Sequence, residues 1–147
     1  MAIGELTESA VRAAHDVRVG LSRLRRRLRE TDDRRELTPS QTSVLSRLHR
    51  DGPATASALA AAERVRPQSV AATLAVLEER ALVERRPDPD DGRRQVVSLT
   101  PAALAMLADT AAAREEWLTR ALQERLTEAE RRTVIEAMAL LERISGA

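Results

Sequence analysis

Apolar residues recur at intervals of three and four in the first part of the chain and predict a long amphipathic helix. The stretch from Leu6 to Glu30 carries them at Val11, Ala14, Val17, Leu21, Leu24 and Leu28. Residues at this spacing share one face of a helix. Five arginines between Arg23 and Arg29 interrupt the pattern, and such a charge run is more often a solvated helix face than a DNA contact.

Three shorter helices are predicted after a polar link over 31–36. Thr38 caps the first of these, with Pro39 in its first turn and Gln41 completing a capping box. Gly52 and Pro53 end it, and a small alanine-rich helix over 55–62 follows. A further helix over 67–80 turns Val70, Leu74 and Leu77 to one side.

A charged β-hairpin is predicted directly after these helices. Two short apolar runs, 81–86 and 95–99, suit a pleated surface. The link between them, 87–94, contains two prolines, three aspartates and a glycine, which favour a tight turn that ends in Arg93 and Arg94. Arginines at an exposed tip can enter a narrow minor groove, although an ordinary solvated loop would have the same composition.

The outer face of the helix over 67–80 is small and mildly polar, as close approach to base edges requires. Gln68 can pair with adenine, Ser69 can bond a base or a phosphate, and Ala72 can touch a thymine methyl group. Thr73 lies at the border of this face, and Arg66 at the helix start could reach guanine or a phosphate. Solvation of a helix end would also explain Arg66 and Gln68. Two helices joined by a short turn and followed by a hairpin form a winged helix-turn-helix, which favours DNA binding.

Composition narrows the class of protein further. At 147 residues the chain has the length of one domain, and only 1% of its residues are aromatic, so leucine, valine and alanine must build the interior. The net charge is only +1 although 32% of residues are charged, which argues against a nonspecific architectural DNA binder. There is no cysteine, and we find neither a signal-peptide core nor a membrane-spanning run, so we expect a cytoplasmic protein without membrane partners.

Catalytic and cofactor motifs are missing from the sequence. The only histidines, His15 and His49, are far apart, and there is no zinc-protease pattern, glycine-rich phosphate loop or nucleophile elbow. We therefore expect no catalytic residues, no metal site and no cofactor, and predict that the chain is not an enzyme.

From Leu37 to Thr100 the sequence resembles the MarR family of bacterial transcription regulators. The resemblance is carried by RPQSVAATLAVLEERALVERR (66–86) and by DGRRQVVSLTP (91–101), which contains an Asp-x-Arg wing signature at Asp91 and Arg93. It implies that Arg93, with Arg94 beside it, contacts the minor groove, and that the helix from Pro67 enters the major groove. It also implies that Asp91 orients Arg93 or pairs with Arg85.

Two residues depart from the family pattern. Ala81 stands where the family often has glycine before the first strand, and Ala103 stands where glycine often follows the Leu-Thr-Pro motif. If Ala81 must adopt a positive φ, the backbone there is strained.

The rest of the chain is predicted to form dimerisation helices. One helix starts at Pro101, and Thr127 with Glu130 forms a capping box before another. Their apolar stripes exceed what one small lobe needs to cover, so we expect burial against a second copy. The predicted fold is mainly α: a winged helix-turn-helix with a two-stranded wing over 37–100, flanked by dimerisation segments at 1–36 and 101–147. Two-fold symmetry then predicts an inverted-repeat operator in double-stranded DNA.

The resemblance also implies a small-molecule effector, often phenolic or anionic, in a cleft between the dimer helices and the DNA-binding lobe. The candidate residues are His15, Arg18, His49 and Trp117. Because Trp117 is the only aromatic residue, plugging a core or subunit interface is an alternative role for it.

Two hypotheses for the function follow. In the first, the chain is a dimeric, operator-specific regulator, with repression the expected sense, whose effector changes the spacing of its DNA-binding lobes. In the alternative, it is a winged-helix module that binds another protein through the same faces without sequence-specific DNA binding.

Overall fold

The computed structural model describes residues 6–31 and 37–146, which divide between two compact units. We call residues 37–111 the wing unit and the described residues of Met1–Asp33 and Ala112–Ala147 the helical unit. Within the described residues there are six helices and three strands. The prediction of a mainly helical chain is therefore confirmed, whereas the predicted link over 31–36 lies mostly outside the described residues.

Three helices contribute to the helical unit. They are α1 (Glu8–Glu30), the second half of α5 (Pro101–Arg125), and α6 (Glu128–Ser145). Thr7 caps α1 by accepting a hydrogen bond from the backbone N–H of Ala10, and Thr127 caps α6 in the predicted capping box with Glu130. No residue of α1 or α6 is buried.

The wing unit begins with three helices around a small core. They are α2 (Pro39–Asp51), α3 (Ala56–Glu63) and α4 (Pro67–Glu79). The predicted capping box is present at the start of α2: Thr38 Oγ1 accepts from the backbone N–H of Gln41, and the Gln41 side chain accepts from the backbone N–H of Thr38. Gly52, at φ 86°, closes the other end of α2.

A three-stranded antiparallel sheet completes the wing unit. Strands β2 (Val83–Pro87) and β3 (Gln95–Leu99) form the predicted hairpin, with Arg85 opposite Val97. The sequence did not predict the third strand, β1 (Ala54–Thr55), which pairs with the other edge of β3. Because β1 is only two residues long, it has no alternation from which it could have been predicted. Pro87, which we assigned to the turn, instead ends β2, a strand with one free edge.

The core of the wing unit joins all three helices to the sheet. It is aliphatic throughout, and it includes the three inward positions predicted for α4. Its buried members are Val44, Leu45, Leu48, Leu59, Ala60, Val70, Leu74, Leu77, Leu82, Val83, Val97 and Ala103. The buried side of α4 is thus fixed, and its opposite side is left for a partner.

The turn between α4 and β2 holds a strained residue. Ala81 has φ 56°, which meets the condition for strain that its replacement of glycine raised. Its N–H donates to the Glu78 carbonyl and the N–H of Leu82 donates to the Leu77 carbonyl, the two bonds of a Schellman motif. Thr100 Oγ1 donates to the Ala81 carbonyl at 2.6 Å and accepts from the N–H of Ala103. This turn therefore ties the end of α4 to the start of α5.

Candidate nucleic-acid interface

The outer face of α4 presents the residues that the sequence selected for base contact. Gln68, Ser69 and Ala72 are exposed, whereas Val70 and Leu74 on the opposite side are buried. Small side chains beside one amide allow a helix to lie close to base edges in a major groove. The structure thus brings these three candidates together on one surface.

Thr73 occupies the half-buried border of this face, as predicted. Its hydroxyl donates to the Ser69 carbonyl at 3.0 Å, so it can offer a ligand only an acceptor and a methyl group. Together with Ser40 and Glu63, Thr73 lines a cavity of about 60 Å³. Since this volume holds no more than a few waters, it does not suggest a small-molecule site.

Arg66 is exposed and occupies the N-cap position of α4. Its carbonyl accepts hydrogen bonds from the N–H groups of Ser69 and Val70, while no side-chain bond caps the helix. Nearby Arg64 adopts the left-handed conformation with φ 54° and is also exposed. The sequence analysis did not select Arg64, although its position in the turn before α4 could have suggested it.

The wing tip, the turn over residues 88–94 between β2 and β3, is organised by the backbone and side chain of Asp91. Its Oδ1 accepts from the backbone N–H of Arg93 at 3.1 Å, and its carbonyl accepts from the N–H of Arg94 at 2.9 Å. The turn is closed farther back by the N–H of Asp88, which donates to the Arg94 carbonyl at 2.9 Å. Asp91 therefore fixes the backbone from which both arginines project.

The two arginines of the wing tip differ in how their guanidinium groups are held. Arg94 Nε lies 3.8 Å from Asp91 Oδ2 in a loose, exposed ion pair. In the part of the chain that the structure describes, the Arg93 guanidinium has neither an ion pair nor a hydrogen bond, and it is exposed. Arg93 is thus the tip cation that is available to an external anion.

The expected pairing of Arg85 with Asp91 is wrong in this structure. Arg85 Nε instead donates to Glu78 Oε2 at 3.1 Å, which joins β2 to the last turn of α4. Asp91 has its contacts within the tip itself. The pairing was one of two roles that the family resemblance implied for Asp91. Glu78 could not be predicted as the partner, because the approach of the end of α4 to β2 depends on tertiary packing.

A hydrogen-bonded network around Glu63, which the sequence analysis did not predict, joins the two helices behind α4. Glu63 accepts from Ser43 Oγ and from Arg47 Nε, each at 2.6 Å, so α2 and α3 are clamped together. These bonds, from Ser43 first and then Arg47, hold the pKa of the Glu63 carboxyl below its ordinary value of 4.5. Arg47 also contacts Asp51 and the Ala62 carbonyl. The carboxylate that lines the small cavity is therefore already satisfied.

The four effector candidates are divided between the two units. His15 and Arg18 lie on α1 and Trp117 on α5, all in the helical unit, whereas His49 lies on α2 in the wing unit. Trp117 is half-buried, and Arg27 lies over its ring at 5.9 Å from the centroid. Arg18 borders a concave surface of α1 with Leu21, Ser22, Arg25 and Arg29.

Residues 6–31 and 37–146 hold neither a metal-binding cluster nor a membrane-spanning helix. No group of three or more histidine, cysteine or acidic residues there is placed to hold a metal ion. Over the same ranges, no helix combines the length and the apolarity needed to cross a membrane.

Comparison with known proteins decides the family. The model of the MarR family matches residues 37–95. An HTH-type transcriptional regulator of Mycobacterium tuberculosis is 36% identical over 117 residues, which cover 80% of this chain and 82% of that protein. The chain belongs to the MarR family. As a MarR-family transcriptional regulator with a DNA-binding winged helix, it falls among regulators and not among enzymes, as the sequence predicted.

Solved structures of MarR-like proteins agree with this assignment. A crystal structure of a Pseudomonas aeruginosa protein named as a transcriptional regulator has a TM-score of 0.81 and 38% identity, covering 95% of this chain and 98% of that one. A mutant MepR from S. aureus, bound to an oligodeoxyribonucleotide, has a TM-score of 0.66 and 22% identity, covering 97% and 99%. The second likeness supports the fold alone.

Proposed function

We propose that this MarR-family regulator acts as a homodimer that binds an inverted-repeat operator through α4 and the wing. In this proposal residues 37–100 form the DNA-binding lobe, and 1–36 with 101–147 form the dimerisation segments. The observation that carries it is the wing tip: Asp91 fixes the backbone of a turn whose Arg93 guanidinium is exposed and lacks a partner among the described residues.

Arg93 would enter the minor groove, with Arg94 on the adjacent phosphates. A guanidinium is favoured in a narrow groove because the negative potential is strongest there. The loose contact of Arg94 with Asp91, at 3.8 Å between exposed groups, costs little to break in favour of a phosphate. The wing would therefore add affinity and preference for A·T-rich flanks.

The exposed face of α4 would lie in the major groove. Gln68 can bond adenine, Ala72 can contact a thymine methyl, and Ser69 can bond a base or a phosphate. Thr73 can accept from a base amino group, because its own proton is donated to the helix backbone. Arg66 at the helix start would contact guanine or a phosphate.

The apolar residues that the helical unit leaves exposed support the dimer. They are Leu6, Val11, Leu21, Ile135, Met138, Leu140 and Ile144, with exposed fractions from 42% to 81%. A second copy would bury them in a two-fold interface and place two α4 helices about one DNA turn, roughly 10 bp, apart. The similarly folded MepR mutant is bound to an oligodeoxyribonucleotide, which supports DNA as the ligand of this fold.

We also propose that the chain is cytoplasmic and acts as a repressor modulated by a small molecule. A dimer that occupies successive turns of DNA excludes polymerase wherever its operator overlaps a promoter. Arg18, which has no ion pair among residues 6–31 and 37–146 and borders a concave surface of α1, would favour an anionic effector. His15, His49 and Trp117 complete the effector candidates, and fluorescence of the single tryptophan would report binding in titrations with small phenolic and carboxylate compounds.

The test is fluorescence anisotropy with labelled duplexes tiled across the DNA that flanks the gene, at physiological salt and with excess nonspecific competitor. Tight binding confined to one inverted repeat, and weakened about tenfold or more in Arg93→Ala, is the expected result. Arg86→Ala is the matched control, because Arg86 is an exposed arginine of β2 that already pairs with Glu84. Uniformly weak binding, or binding indifferent to Arg93, would contradict the proposal. In that case a protein partner of the same faces would have to be sought.

A further inference from the structure

The ion pair between Glu78 and Arg85 joins the two DNA-reading elements of the wing unit. Glu78 belongs to the last turn of α4, and Arg85 is the third residue of β2, with 3.1 Å between Arg85 Nε and Glu78 Oε2. The Arg85 side chain is 28% exposed and the Glu78 side chain 46%. Over residues 6–31 and 37–146, no other ion pair connects α4 with the hairpin.

The other ion pairs of the hairpin lie within the hairpin and do not reach α4. The pair of Glu84 with Arg86 lies within β2, and the contacts of Asp91 lie within the tip. Arg85, by contrast, stands opposite Val97, a fully buried residue in the middle of the hairpin. A bond from Arg85 to α4 therefore acts where the hairpin meets the core.

The main-chain connection between the two elements is short. Residues 80–82 link α4 to β2, and the Schellman bonds fix the N–H groups of Ala81 and Leu82. Beyond them the hairpin is held by the pairing of β1 with β3 and by the packing of the sheet face that Val97 and Arg85 share. On that same face the bond from Arg85 to Glu78 adds a direct contact with α4.

We infer that Glu78 is a positioning residue for DNA binding, which holds the wing at the angle where Arg93 and α4 engage adjacent grooves together. This inference rests on the proposed function, since it assumes that both elements contact one operator. Glu78 itself need not touch DNA. By holding the hairpin in one orientation before DNA arrives, Glu78 would lower the entropy cost of binding.

Operator affinity of a small variant set tests this role, measured by anisotropy on the inverted repeat that the wild type binds. Glu78→Gln removes the ion pair, and we expect about a threefold to fivefold weaker operator complex, the size of a partly exposed pair. Glu79→Gln is the matched control: Glu79 is the exposed neighbour, it makes no ion pair with the described residues, and its substitution changes the charge near DNA equally. It should not weaken binding.

A double-mutant cycle with Arg93→Ala separates positioning from general stabilisation. If Glu78 aims the wing, Arg93→Ala should weaken binding about tenfold in the wild type but only about threefold in the Glu78→Gln background. The charge swap Glu78→Arg with Arg85→Glu should restore affinity to within about twofold of the wild type. Should Glu78→Gln fail to fold by circular dichroism, the swap and its two single variants carry the test.

The outcomes distinguish this inference from the proposed function. A wild type without an operator overturns both. An operator lost in Arg93→Ala, with Glu78→Gln equal to Glu79→Gln, overturns the positioning role alone. An Arg93 penalty that is the same in both backgrounds also overturns it, since Glu78 would then act on folding and not on the wing.

Discussion

The wing unit and the helical unit differ in how far their apolar residues are buried. In the wing unit Leu74, Leu77 and Val97 are fully buried in one closed core. In the helical unit no described residue is buried, and Ile135 and Ile144 remain 68% and 81% exposed. Each unit contains a helix with a capping box, α2 in the wing unit and α6 in the helical unit, so helix capping is not what separates them.

The difference shows that the two units depend on different sources of stability. Full burial of one leucine or isoleucine contributes about 1.5–3 kcal/mol, so the closed core can stabilise the wing unit within one chain. The exposed apolar side chains of the helical unit would contribute such stabilisation only when covered, and we propose that a second copy covers them. Four substitutions test this difference between the two units.

The largest effect is expected in the core of the wing unit. Leu74→Ala should lower the free energy of unfolding by about 2–5 kcal/mol, because it leaves a cavity under the recognition helix. Urea denaturation at fixed protein concentration measures this. Val76→Ala on the exposed side of the same helix is the control, and an equal loss in both variants would contradict a closed core there.

A carboxylate on the apolar face of α6 should break the dimer and leave the wing unit folded. Ile144→Glu is expected to raise the dimer dissociation constant about 30-fold or more, since it would bury a charge in place of an apolar side chain. Size-exclusion chromatography with light scattering over a concentration series measures the constant. Ala61→Glu adds the same charge at an exposed position of α3 in the wing unit, and dissociation by both variants alike would argue against a specific interface.

The clamp behind α4 predicts a pH dependence that belongs to the wing unit. The pKa of Glu63 is lowered in the folded state, so its stabilising contribution is present above its unfolded pKa, near 4.5, and is lost as pH falls through the folded value. Glu63→Gln should therefore lose about 1–2 kcal/mol of unfolding free energy at pH 7, with the difference shrinking below pH 4.5. Urea titrations at pH 7 and at a pH below 4.5 measure it. A constant difference would show that the carboxylate charge is unimportant.

The smallest effect is expected at the strained turn. Ala81→Gly should stabilise the chain by up to about 1 kcal/mol, because glycine adopts φ 56° without the cost that alanine bears, while it adds some entropy to the unfolded chain. Thermal unfolding measures the gain, with Ala75→Gly in the middle of α4 as a control that should destabilise. A loss in Ala81→Gly would mean that the turn is not strained.

The sequence predicted those features that depend on local chemistry. The caps at Thr38 and Thr127 and the buried side of α4 follow from residue types within a few positions of each other. At Ala81 the sequence implied only a condition, strain if φ is positive, and the structure meets it. The hairpin was also predicted, since its turn residues and its two apolar runs are adjacent in the chain.

The features that were missed depend on elements that meet only in three dimensions. Strand β1 forms because the 54–55 segment lies beside β3, more than 40 residues later in the chain. The partner of Arg85 is Glu78 and not Asp91, because the last turn of α4 comes closer to Arg85 than the tip does. The Glu63 clamp joins residues 16 and 20 positions apart, beyond the range of helical spacing.

Sedimentation equilibrium of the intact chain across a wide concentration range tests most directly whether the helical unit is completed by a second copy. We expect a homodimer, with twice the 16.2 kDa mass of one chain, at micromolar concentration, and dissociation only on dilution. A mass of 16.2 kDa at every concentration would contradict it. The exposed residues of α1 and α6 would then need another partner, and the inverted-repeat operator would lose its structural basis.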